Sequence, residues 1–124
     1  MKDPANPICR TISTLLSRIG DKWTVLVVQT LGEGSKRFNE LRREIPSVSQ
    51  RMLTLTLRNL ERDGLVNRTV TPTIPPRVDY ELTELGQSLQ KPIAGLAQWA
   101  LDNVGTIHEA QARFDGEQDK AQAA

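Results

Sequence analysis

At 124 residues the chain has the size of one domain and is long enough to bury a core without metal or disulfide staples. Its single cysteine, Cys9, excludes an internal disulfide and a cysteine-based zinc cluster, and no apolar run approaches the length that spans a bilayer. The net charge of +1 hides a division along the chain, since residues 1–35, 36–77 and 78–124 carry +1, +5 and −5, and a basic middle is what a segment facing a polyanion needs. The opening MKDPANPICRT has no apolar stretch ahead of a small-residue cleavage site, so a cytoplasmic protein is expected.

In chain order, Thr11 to Ile19 places Ile12, Leu15, Leu16 and Ile19 on one helical stripe, with Gly20 at the C-terminal end. Asp21 then caps a second helix, KWTVLVVQTL, whose apolar density predicts burial on most sides. After GEGS comes a brief extended piece, KRF, followed by a short helix, NELRREI. Asn39 is its expected N-cap, and Pro46 stops it.

The stretch MLTLTLRNL, residues 52–60, alternates like a strand, yet Ser47 and Ser49 both offer a helix cap just upstream and RNLERDG continues with helix formers to Gly64. A helix is therefore expected. It gathers Leu53, Leu57 and Leu60 within about 60° on one side and sets Arg51, Arg58 and Arg62 within about 40° on the other. Leu55 is left on the basic side.

Beyond Gly64 the apolar period changes to two. LVNRTV and RVDYEL form a hairpin whose TPTIPP connection is stiff and unsuited to a ladder interior. Thr83 caps a long helical segment with Leu85, Leu89, Ile93, Leu96 and Trp99 or Ala100 at helical spacing. Pro92 is expected to kink it, and residues 115–124 are expected to fray.

The fold class predicted is mainly α with a small β-hairpin (α+β). A helix-turn-helix at about 39–63 is followed by a wing at about 65–82, in one domain over 1–114. The N-terminal half of the second helix is what can reach base edges in a major groove. Gln50, Arg51, Thr54 and Leu55 are the base-reading candidates: arginine can engage guanine, glutamine adenine, and leucine a thymine methyl. Lys36, Arg37, Arg42, Arg43, Arg58, Arg62, Arg68 and Arg77 are the candidates for phosphate contacts. For any one arginine the alternative is a solvated helix face, with weak pairs such as Arg58 to Glu61.

The segments GDKW, RFNELRREIP, SQRML, LRNLERDGLV and PPRVDYELTELG, in that order and spacing over residues 9–101, resemble the HxlR-type winged-helix regulators of bacteria, relatives of the MarR regulators. The resemblance implies a homodimeric DNA-binding repressor or activator, with N- and C-terminal dimerisation helices, the latter at about 83–114. The apolar stripe agrees in part: a helix of some thirty residues has too much of it for so small a core. Leu89, Ile93, Leu96 and Trp99 are the interface candidates, against the alternative that they pack inside their own domain. A two-fold dimer predicts an inverted-repeat operator in double-stranded DNA.

Several regulators of this type that respond to electrophiles or oxidants have a cysteine just ahead of the first helix, the place of Cys9, and many follow it with proline where Arg10 stands here. A neighbouring guanidinium and a helix N-terminus both favour the thiolate, so Cys9 is a candidate for oxidant control; the alternative is a half-buried packing cysteine. The lone His108, with no ligand cluster near it in sequence, argues against a metal site. Nothing resembles a nucleophilic triad or a phosphate-binding loop, so neither an enzyme nor a bound cofactor is expected. Two further readings stay open: gating by a small molecule in a cleft between the wing domain and the dimer helices, and a winged-helix module that binds protein rather than DNA.

Overall fold

The computed structural model describes residues 5–123. The elements in order are α1 (Pro7–Ile19), α2 (Lys22–Leu31), β1 (Lys36–Arg37), α3 (Phe38–Glu44), α4 (Gln50–Arg62), β2 (Val66–Thr71), β3 (Arg77–Leu82) and α5 (Glu84–Ala123). The strands form an antiparallel sheet of order β1-β3-β2.

Helix α1 begins at Pro7, four residues before the expected Thr11. Asn6 caps it, its Oδ1 accepting the N–H of Ile8 at 2.8 Å and of Cys9 at 3.4 Å, and proline fits the first helical position, where its missing N–H costs nothing. Cys9 therefore sits inside the first turn of a helix rather than ahead of it. Asp21 caps α2 as expected, accepting from Trp23 at 2.9 Å and Thr24 at 3.2 Å. Asn39 does not cap α3. Pairing of Arg37 with Asp79 holds Arg37 extended, the helix starts at the next residue, and Glu40 reaches back to accept the Arg37 N–H at 3.0 Å.

Of the two serines before α4, Ser49 is the cap, accepting the Met52 N–H at 3.0 Å. Leu53, Leu57 and Leu60 are all 0–1% exposed and join Val27, Val28 and Leu31 of α2, Leu41 of α3 and Val66 of β2 in the core. The helix closes on Gly64 at φ +78, with the Leu65 N–H donating to Leu60 and the Gly64 N–H to Glu61. Thr83 ties this end to the next helix: its hydroxyl donates to the Gly64 carbonyl at 2.6 Å and accepts the Gly86 N–H at 3.1 Å.

The chain divides into two compact units, Met1–Gln90 and Lys91–Ala124. The first holds both helices of the helix-turn-helix, the sheet and the start of α5. In the second, α5 runs on past Phe114 to Ala123, where the sequence predicts fraying; Glu117, Gln118, Lys120, Ala121 and Gln122 are strong helix formers. No helix among the described residues is long and apolar enough to cross a membrane.

Candidate nucleic-acid interface

Helix α4 is sharply two-sided because its leucines recur at helical spacing. With that stripe in the core, Gln50, Arg51, Thr54, Leu55, Arg58 and Arg62 are all exposed. Five of them, all but Arg62, line one open hollow of about 570 Å³. The four candidates for base reading are thus contiguous, with Leu55, 49% exposed, among them. Thr54 donates its hydroxyl proton to the Gln50 carbonyl at 2.8 Å, which leaves the oxygen free to accept from a base or a water.

The phosphate candidates fall into two groups. Among the described residues, Arg37, Arg42, Arg43, Arg58, Arg62 and Arg68 form no ion pair and are exposed, as is the base-reading candidate Arg51. Lys36 and Arg77 are already engaged. The Lys36 ammonium lies 3.1 Å from Glu44 and 3.5 Å from Glu33, and its hydrogen bond to Glu44 leads the effects that hold its pKa above the usual lysine value. The Arg77 Nε donates to Asp79 at 3.0 Å. Glu33 is visible in the sequence as a partner three residues from Lys36, whereas Glu44 reaches it only because α3 folds back along β1.

Two participants escaped the sequence reading. Arg18 of α1 forms a half-buried ion pair with Asp63, the C-cap of α4, so the first helix is pinned to the end of the basic one. A second hollow of about 410 Å³ lies beside this pair, between α1, α2 and α4, with Leu55 also on its rim. The other is Tyr80 of β3, which stands opposite Arg68 on one side and Lys36 on the other. No spacing rule flags either, because each depends on elements meeting across the fold.

Cys9 is a free, half-buried thiol. The Arg10 guanidinium donates to the Ala5 carbonyl at 3.1 Å. Of the four interface candidates, Ile93 is buried and Leu89 half-buried, while Leu96 and Trp99 are 63% and 59% exposed. Along α1, Ile8, Ile12, Leu15 and Leu16 are exposed as well, and no residue of that helix is buried.

A family model described as HxlR-like helix-turn-helix matches residues 18–108. An uncharacterized HTH-type transcriptional regulator of Methanothermobacter thermautotrophicus is 48% identical over 89 residues, covering 72% of this chain and 68% of that protein. Among solved structures, the redox regulator HypR in its reduced form has a TM-score of 0.73 at 41% identity, covering 80% of this chain and 98% of that one. The reduced form of the transcriptional regulator YodB from B. subtilis has a TM-score of 0.66 at 37% identity, covering 77% and 90%. Both the two-sided helix with its wing and these likenesses lead to the same conclusion: the chain belongs to the HxlR-like helix-turn-helix family of transcriptional regulators.

Proposed function

We propose that this regulator binds double-stranded DNA sequence-specifically as a homodimer on an inverted repeat, with α4 in the major groove, and that oxidation of Cys9 controls the binding. The observation that carries the DNA reading is the outer face of α4, where arginines without ion pairs among the described residues surround Gln50, Thr54 and Leu55. A protein-binding surface has no need of so many uncommitted cations, whereas phosphates do. The exposed apolar residues of α1 and of α5 are the kind of surface that a second copy covers.

In vitro selection from a random duplex library, followed by fluorescence anisotropy on the selected duplex, tests this reading. The expected result is an inverted repeat bound with an affinity that falls steeply as salt rises. Selection of no duplex at low salt would leave the protein-binding module as the better account.

The oxidant reading is supported by the likeness to HypR, named as a redox regulator, and to YodB, whose structure after diamide treatment is also among the relatives. With one thiol per chain, two Cys9 residues can yield one intersubunit disulfide, giving two protons and two electrons to a two-electron oxidant. With a small-molecule thiol in place of the second Cys9, the same oxidant takes up the two protons and two electrons and a mixed disulfide forms on one chain. The Arg18–Asp63 pair gives α1, which carries Cys9, a mechanical hold on α4. Substituting Cys9→Ser is expected to leave DNA binding intact and abolish its response to diamide; an unchanged response would remove Cys9 as the point of control.

A further inference from the structure

Between α4 and the wing lies a hollow of about 420 Å³ lined by Thr54, Leu57, Arg58, Glu61, Arg68 and Tyr80. Thr54, Arg58 and Glu61 follow one another along one face of α4 at helical spacing. Arg68 and Tyr80 are cross-strand partners, so their side chains share a face of the sheet, the one that also carries buried Val66 and Leu82 and packs toward α4. Two arginines from different elements therefore line one concave site. Neither forms an ion pair among the described residues, and the Tyr80 hydroxyl makes no hydrogen bond among them.

We infer that this hollow is a two-element clamp for a single backbone phosphodiester, gripped by Arg58 from the helix and Arg68 from the wing, with the Tyr80 hydroxyl as a third donor. The inference rests on the DNA-binding reading and adds that helix and wing hold the same phosphate rather than separate ones. Two cations that line one hollow and pair with no acid repel, and an anion with several acceptor oxygens relieves that repulsion while satisfying both forks. The neighbouring Lys36 lies across the sheet from Tyr80 but is neutralised by Glu44 and Glu33, which singles out Arg58 and Arg68 as the active pair. Glu61 is the acidic group on the rim. It opposes a bound phosphate and keeps the empty site from holding one tightly.

The test uses the selected duplex with single neutral methylphosphonates replacing each backbone phosphate in turn. Wild-type protein is expected to lose about tenfold in affinity at the clamped position. Arg58→Ala and Arg68→Ala should each bind the unmodified duplex more weakly and become indifferent to substitution at that same position, with Tyr80→Phe affected there to a smaller extent. The salt slope of the dimer should fall by about two in the double variant rather than by about four, because one phosphate is released in each half-site. Glu61→Gln should tighten binding. Two arginines mapping to two different phosphates in a half-site, or a slope lowered by about four, would overturn the clamp while leaving DNA binding in place. A wild-type chain that selects no duplex would overturn both. Inorganic phosphate at millimolar concentration should not compete; displacement of the duplex by free phosphate would mark the hollow as a site for a small anion instead.

Discussion

Leu55 and Leu57 are two residues apart in a stretch that alternates like a strand, and they occupy opposite environments. Leu57 is 1% exposed in the core and Leu55 is 49% exposed on the basic face. Truncating a buried leucine removes transfer energy and leaves a cavity, so Leu57→Ala should cost about 2–5 kcal/mol in urea unfolding. Leu55→Ala should cost less than about 0.5 kcal/mol and instead change the base preference recovered by selection. This contrast was legible in the sequence because helical periodicity reports burial directly. The Arg18–Asp63 pair was not, since 45 residues separate its members and only packing of α1 beside the end of α4 brings them together. Both side chains are half-buried, so Arg18→Met should cost about 1–2 kcal/mol, between the limits for exposed and fully buried pairs. An unchanged denaturation midpoint in that variant would reduce the pair to a surface contact.

At the level of elements, caps were readable where side chain and backbone act locally and misread where tertiary pairing intervened. Asp21 and Thr83 cap the helices expected of them, because a short oxygen side chain next to a free N–H is a purely local arrangement. Asn39 failed because β1 pairs with β3 and moves the start of α3 to Phe38. The Asn6–Pro7 dipeptide carried a sound local signal for α1, but the apolar stripe beginning at Ile12 drew the expected boundary later in the chain. The clearest non-local constraint is at Gly86 in the first turn of α5. A Cβ there would overlap the Leu65 carbonyl oxygen at the base of the wing. In an ordinary helix Gly→Ala gains up to about 1 kcal/mol, yet Gly86→Ala should destabilise, by about 1–3 kcal/mol, because the obstacle is backbone and cannot rotate away. A raised melting temperature in this variant would show that helix and wing base can separate at little cost.

For the whole molecule, the sequence showed charge division most plainly: +5 over residues 36–77 became the exposed face of α4, with α3 and the wing around it, and −5 over 78–124 lies mostly on α5. It showed less well which apolar residues remain available to a partner, since periodicity places Ile93 with Leu96 and Trp99 although only the latter two are exposed. If a second copy covers Leu96 and Trp99, then Leu96→Asp combined with Trp99→Asp should give a species of one chain mass by sedimentation, with its helical circular dichroism retained. Its affinity for the selected duplex should fall at least a hundredfold, because two modest half-site contacts no longer act together. The DNA provides an independent check on the same geometry. Two recognition helices related by a two-fold axis meet successive major grooves about 34 Å apart, one helical turn of the duplex. Inserting about five base pairs between the half-sites turns one of them to the opposite side, and inserting about ten restores the face at greater separation. The first insertion should abolish dimer binding as completely as the Asp variants do. Equal affinity for the native and half-turn spacings would mean that each chain reads its half-site alone, and the exposed faces of α1 and α5 would then have to serve some partner other than a second copy.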